Sequence, residues 1–149
     1  MFYDMARDIS QDNHKGFYMN KRVICLMGPT ATGKTETAMR LADQLPIEII
    51  SVDSAMIYKG MDSGTAKPET DVLAQYPHKM IDICEPTERY SAANFRIDAT
   101  NAIEESFANG KIPLLAGGTF LYFRTLLEGI SPIPKVSPEI LANLNQQAE

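Results

Sequence analysis

Val23-Ile24-Cys25-Leu26-Met27-Gly28-Pro29-Thr30-Ala31-Thr32-Gly33-Lys34-Thr35 decides the fold of this 149-residue chain. The first five residues form a continuous apolar run closed by Gly-Pro, the pattern of a strand buried on both faces of a parallel sheet. The next eight follow G-x-x-x-x-G-K-T. After them Ala38, Leu41, Ala42 and Leu45 recur at helical spacing, with Pro46 expected to end the helix. Strand, glycine-rich turn and amphipathic helix, in that order, make a phosphate-binding loop. Gly28 and Gly33 let the backbone close around anionic oxygens, and the N–H groups of the loop and first helical turn point inward along the helix dipole. Lys34 brings a point charge to the terminal phosphates, and the Thr35 hydroxyl is placed to hold Mg2+. Gly28, Pro29, Thr30, Ala31, Thr32, Gly33, Lys34 and Thr35 are therefore expected to bind a diphosphate ester or a nucleotide such as ATP.

Downstream, Ile47-Glu48-Ile49-Ile50-Ser51-Val52 reads as a second strand that delivers Asp53-Ser54 at its carboxyl end. A polar stretch from Lys59 to about Pro77 follows, then a short candidate strand, Met80-Ile81-Asp82-Ile83. Ser91 is expected to cap a helix with Phe95, Ala99, Ala102, Ile103 and Phe107 on its apolar side, stopped by Asn109-Gly110. Ile112-Pro113-Leu114-Leu115-Ala116 is another buried strand, and its proline suggests a sheet edge or a strand start. Gly117-Gly118-Thr119 turns it into a helix from Phe120 to Leu127. The alternation predicts an α/β protein, a three-layer fold like that of the P-loop NTPases with a mainly parallel sheet. Residues 1–21 read as a loosely ordered extension and 22–130 as the core. From Ser131 a proline-rich linker leads to the start of a further helix near Pro138, within 131–149.

With 44% apolar and 22% charged residues, the composition is that of an ordinary globular protein. No apolar run approaches the roughly 20 residues that span a bilayer, and the first residues lack the basic-then-apolar pattern of a secretory signal. A cytoplasmic protein without a membrane partner is expected. Cys25 and Cys84 lie in apolar runs without ligand spacing and read as buried free thiols. His14 and His78 are expected in polar loops and suggest no metal site. The net charge of −5 argues weakly against a nucleic-acid partner, but it is uneven. Residues 21–67 carry six basic against five acidic groups, whereas 68–149 carry six against eleven.

Asp53 lies where parallel sheets bind ligands, at the carboxyl edge. A carboxylate there can hold magnesium, accept a proton or cap the next turn. Lys67 can touch a phosphate or simply be solvated. Tyr58 and Tyr122 can stack on a base, although core packing is favoured. Gly117-Gly118 offers backbone N–H groups to an anion or makes a tight turn. Met56, Ile57 and Met61 can line an apolar slot or fill the core.

Four segments together resemble one family. Asp53-Ser54-Ala55-Met56-Ile57-Tyr58-Lys59-Gly60-Met61-Asp62-Ser63-Gly64-Thr65-Ala66-Lys67-Pro68 closely resembles a run of the tRNA dimethylallyltransferases, also called tRNA isopentenyltransferases. The Gly28–Thr35 loop resembles theirs, with Thr32 where Ser is more frequent. Tyr90-Ser91-Ala92-Ala93-Asn94-Phe95 and Gly117-Gly118-Thr119-Phe120-Leu121-Tyr122 are similar to two further family signatures. The resemblance implies transfer of a dimethylallyl group from dimethylallyl diphosphate to N6 of adenosine 37 in tRNAs that read codons beginning with U. It implies that the loop holds the donor's diphosphate, that Mg2+ sits on Thr35, and that Asp53 is the catalytic base. Asp53, Ser54, Ala55 and Met56 would contact tRNA at the anticodon loop, and Thr119 would act beside the target base. Family members run to about twice this length, with an inserted helical domain, and are expected to be monomers when complete. This chain looks like their amino-terminal half, and little or no transferase activity is expected from it alone. Three rivals remain: a nucleotide or small-molecule kinase, an isopentenyltransferase of free adenine nucleotides, and a non-enzymatic module built on the same loop.

Overall fold

The computed structural model describes Phe2–Tyr3 and residues 21–129. The elements are β1 (Phe2–Tyr3), β2 (Val23–Met27), α1 (Lys34–Ala42), β3 (Ile47–Val52), α2 (Thr70–Gln75), β4 (His78–Lys79), α3 (Ala92–Ala108), β5 (Ile112–Gly117) and α4 (Phe120–Glu128). The sheet runs β1-β2-β5-β3-β4. β2, β5, β3 and β4 are parallel, and β1 adds to β2 antiparallel. The expected three-layer α/β fold with a mainly parallel sheet is what the chain forms. Most of the expected extension and the whole linker and helix of 131–149 lie outside the described residues.

Period-two alternation divides the strand side chains between two cores. Val23, Cys25, Ile50, Val52 and Leu115 face α3 and α4, where they pack with Phe95, Ala99, Ile103, Phe123 and Leu126. Ile47, Ile49 and Leu114 face α1 and meet Ala38, with Ile24, Leu26, Leu41 and Ala116 beside them. Burial of each Val, Ile, Leu or Phe side chain among the fully buried ones contributes about 1.5–3 kcal/mol. That double demand is why the strands read as unbroken apolar runs. Phe95 and Tyr122 stack with ring centroids 4.2 Å apart and join α3 to α4.

Local chemistry sets the helix ends. Ser91 caps α3 through a capping box: its hydroxyl accepts the Asn94 amide, and the Asn94 side chain accepts the Ser91 amide, each at 3.2 Å. Gly110, with φ 69°, follows the C-cap Asn109. α1 ends at Ala42, earlier than Pro46 requires. The Leu45 amide still bonds the Leu41 carbonyl, and Leu45 itself is exposed.

Four expectations need correction. Of the two places expected for Pro113, the sheet edge is wrong and the strand start is right: β5 is central, and Pro113 is its second residue, paired with Glu48 of β3. The strand expected at Met80–Ile83 lies two residues earlier, at His78–Lys79, because Met80 and Asp82 adopt left-handed backbone (φ 68° and 55°) and turn the chain away. His78 is thus a strand residue rather than a loop residue. The polar stretch from Lys59 to Pro77 contains a helix, α2, that no apolar periodicity announced.

Candidate active site

The register of the sheet builds the site. Met27 of β2 pairs with Gly117 of β5, and Gly117 pairs with Val52 of β3. The three strands therefore end level, and the next residues along them are Gly28, Gly118 and Asp53. Neighbouring strands lie about 4.8 Å apart, so the start of the loop and Asp53 are separated by about 10 Å of backbone. The carboxyl edge of this sheet brings the loop, the carboxylate and the Gly-Gly-Thr turn together.

Gly117 is required by that convergence. A Cβ on Gly117 would lie 2.1 Å from the Val52 carbonyl oxygen, and one on Gly118 would lie 3.2 Å from the Gly28 carbonyl oxygen. The missing side chains let the Gly28 amide reach the Gly117 carbonyl (3.4 Å) and the Thr119 amide reach the Val52 carbonyl (3.2 Å). Gly117-Gly118 is therefore a tight strand-to-helix turn that laces three strand ends.

The loop has the backbone that phosphate binding needs. Gly33 is left-handed at φ 77°, and Ala31 holds φ 65°, a conformation uncommon for a residue with a Cβ. Gly33 is the N-cap of α1 and offers no side chain to its first turn. The leading N–H groups of α1 are thereby left to an anion. Lys34 Nζ donates to the Pro29 carbonyl and to Thr32 Oγ1, which sets the ammonium over the loop. Thr32 Oγ1 in turn donates to the Pro29 carbonyl at 2.9 Å.

Asp53 does cap the next turn. Its Oδ1 accepts the amides of Ala55 (2.9 Å) and Met56 (3.3 Å), while Oδ2 makes no hydrogen bond among the described residues. The carboxylate is thus held by one oxygen with the other available. Thr119 fixes the same segment from across the sheet: its hydroxyl accepts the Ser54 amide at 3.0 Å and donates to Ser54 Oγ at 3.3 Å. Thr119 is the N-cap of α4, yet its hydroxyl does not cap that helix, because Ser54 engages it.

A pocket of about 410 Å³ joins these parts. Thr30, Ala31, Thr32, Gly33, Lys34 and Thr35 line it, together with Asp53, Met56, Gly117 and Gly118. Gly28, Pro29, Ser54, Ala55 and Thr119 flank these residues without lining the cavity. Of the three apolar candidates, Met56 lines the pocket, Ile57 is fully buried in the protein, and Met61 is exposed outside it. Tyr122 is a core residue, 5% exposed. Burial, Tyr58 and the nearby Asp53 carboxylate raise its pKa.

The sequence pattern missed part of the wall. Met39 of α1, His78 of β4, and Thr65, Ala66 and Pro68 of the polar stretch also line the cavity. His78 Nδ1 lies 2.6 Å from the Tyr76 carbonyl, which makes that nitrogen the donor and, in the neutral ring, leaves Nε2 as the acceptor. Burial lowers the pKa of the ring, against the opposing pull of that carbonyl. Lys67 is not a solvated lysine before a proline. Its side chain is 4% exposed and makes ion pairs with Asp62 and Asp82. Cys25 and Cys84 are buried free thiols, as expected, and burial raises both pKa values, which disfavours the reactive thiolate.

Thr35 lies in the first turn of α1 on the pocket wall, and its hydroxyl has no hydrogen-bond partner among the described residues. A magnesium ion bound mainly by diphosphate oxygens and water needs only one or two protein ligands, which suits this donor set. Among the described residues, no three His, Cys, Asp or Glu side chains gather as a dedicated metal cage.

Comparison with known proteins gives one consistent answer over residues 21–149. The IPP transferase family model matches residues 56–149, and the isopentenyl transferase model matches residues 21–82. A tRNA delta(2)-isopentenylpyrophosphate transferase from Staphylococcus epidermidis is 39% identical with a TM-score of 0.68, over 85% of this chain and 40% of that one. The tRNA isopentenylpyrophosphate transferase of Bacillus halodurans is 36% identical with a TM-score of 0.72, over 86% of this chain and 43% of that one. A eukaryotic dimethylallyltransferase acting on tRNA is 30% identical with a TM-score of 0.72, over 82% of this chain and 31% of that one. The chain thus spans less than half the length of each of these relatives.

Proposed function

This chain belongs to the tRNA isopentenyltransferase family, and from that premise we propose that it supplies the donor cradle and the catalytic base of a tRNA dimethylallyltransferase. The reaction is transfer of a dimethylallyl group from dimethylallyl diphosphate to N6 of adenosine 37, beside the anticodon of tRNAs that read codons beginning with U. The observation that carries this reading is the level ending of β2, β5 and β3, which sets the Asp53 carboxylate and the Gly28–Thr35 loop at one pocket.

In the proposed mechanism the adenine is extruded from its stack to reach the pocket. Its N6 lone pair attacks the allylic carbon, the carbon–oxygen bond to diphosphate breaks, and the N6 proton passes to Asp53. Oδ2 is the accepting oxygen, since Oδ1 is engaged by the Ala55 and Met56 amides. A positioned base of this kind contributes about 10²- to 10⁴-fold in rate. The diphosphate gathers negative charge as it leaves, and the amides of the loop and of α1, with Lys34, are fixed in advance to receive it. Thr35 would hold a magnesium ion, which when bound supplies further neutralisation of the leaving group. Ser54, Ala55, Met56 and Thr119 would meet the tRNA, with the Thr119–Ser54 hydrogen bonds setting the spacing between the turn and the β3 end.

The complete protein is proposed to act as a cytoplasmic monomer. No helix among the described residues is long and apolar enough to cross a membrane. The test is prenylation of an anticodon stem-loop by the full-length protein. The reading predicts product with the stem-loop and none with AMP. Preferential binding of ATP over dimethylallyl diphosphate would point to a kinase instead.

A further inference from the structure

The wall made by Thr65, Ala66 and Pro68 belongs to a long excursion that starts after Met56 and closes at Asp82, whose amide donates to the Met56 carbonyl. One buried ammonium ties it. Lys67 Nζ donates to the Tyr58 carbonyl (3.1 Å), Asp62 Oδ1 (2.7 Å) and Asp82 Oδ1 (2.7 Å). Those three acceptors lie at the beginning, within the first turn and at the end of the excursion, and they use all three donors of the ammonium. The two carboxylates outweigh burial and raise the pKa of Lys67, so the charge persists. Its bonds to the two carboxylates are charge-assisted, roughly twice as strong as neutral ones.

Backbone strain collects around this tether. Ala66, Met80 and Asp82 all hold positive φ (55°, 68° and 55°) without being glycine. Each such residue costs about 1–3 kcal/mol and persists only where its surroundings over-determine it. Asp82 is held twice, by Lys67 through its carboxylate and by the Met56 carbonyl through its amide at 3.1 Å. Thr65 is fixed as well, since its hydroxyl donates to the Met61 carbonyl at 2.8 Å. Residues 65, 66 and 68 line the cavity while Lys67 is turned into the tether, so the ammonium acts on the pocket through its neighbours.

We propose that Lys67 is a positioning residue that holds the Thr65–Pro68 wall against the part of the donor beyond its diphosphate. This rests on the prenyl-donor reading of the pocket. The loop binds the diphosphate and the wall receives the remainder. Loss of the tether therefore lowers affinity for the whole donor while affinity for diphosphate alone is kept.

The experiment compares binding of dimethylallyl diphosphate and of inorganic diphosphate, both with Mg2+, to this chain and to its Lys67→Met and Asp62→Asn variants. Asp62 is largely exposed, so its change removes the negative charge of one tether acceptor without burying a new group. Lys67→Met is expected to weaken donor binding tenfold or more, and Asp62→Asn about threefold, with diphosphate binding changed less than twofold. Parallel loss of both ligands, or an unchanged ratio in a folded variant, overturns the proposal. If Lys67→Met fails to fold, Asp62→Asn alone decides by the same ratio. Should the parent chain bind both ligands equally, the prenyl reading falls, and hydrogen exchange of amides 61–67 reads the tether itself. Faster local exchange at an unchanged melting temperature sustains it, and unaltered protection overturns it.

Discussion

Thr119 Oγ1 accepts the backbone amide of Ser54 at 3.0 Å, joining the β5–α4 turn to the residue that follows Asp53. Two strand ends that are not neighbours in the chain are thereby locked in register beside the pocket. A hydroxyl that would otherwise cap α4 serves the site instead.

Thr119→Val is expected to leave donor affinity unchanged while the prenylation rate of the full-length protein falls about 10- to 100-fold, since a misplacement near 1 Å costs this much. Thr119→Ser should recover most of the rate. Single-turnover kinetics with a stem-loop substrate measure both. A rate unaffected by Val would mean that the hydroxyl positions nothing.

Lys34→Ala removes the charge over the loop. Charge-assisted bonds contribute about 1.5–3 kcal/mol each, so diphosphate affinity should fall roughly 10- to 150-fold. Calorimetric titration with diphosphate and Mg2+ is the measurement, and the melting temperature without ligand should barely move, because Lys34 bonds only within its own exposed loop.

Gly117→Ala forces a methyl group to 2.1 Å from the Val52 carbonyl oxygen, between two paired strands. Neither backbone yields cheaply, and a loss of about 3 kcal/mol in unfolding free energy is expected. Urea denaturation followed by circular dichroism will show it. Gly110→Ala, at a helix end with open space around it, should cost much less despite its positive φ.

Desolvation of the half-buried His78 ring holds its pKa below the ordinary value of 6.5. The unfolded chain then binds a proton that the folded chain refuses, so this contribution to stability is full above about pH 6.5 and is lost as pH falls toward the depressed folded value. Denaturation midpoints between pH 5 and 7.5 should rise with pH, and His78→Gln should flatten that slope. A slope equal in both proteins would assign it to other groups.

Much of this was legible because the decisive signals are local. β2, the loop and α1 follow one another in the chain, and Ser91 with Asn94 writes its capping box within four residues. Asp53 was placed correctly because an apolar run that ends in a carboxylate carries it to the edge of the sheet. The remainder depends on tertiary pairing. Pro113 lies in the central strand one residue before its pairing with β2 begins at Leu114, a register that composition cannot reveal. His78 reaches the pocket only because it pairs with Ile49. The burial of Lys67 depends on Asp62 and Asp82 arriving from either side, so it looked like an ordinary surface cation. α2 has no buried residue and left no apolar rhythm to read.

Asp53→Asn in the full-length protein is the most direct measurement. The amide oxygen can still accept from Ala55 and Met56, so the turn is kept while the proton acceptor is removed. The account predicts a fall in single-turnover prenylation of about 10²- to 10⁴-fold, with dimethylallyl diphosphate affinity and melting temperature unchanged. An undiminished rate, or a loss traced wholly to unfolding, would contradict it.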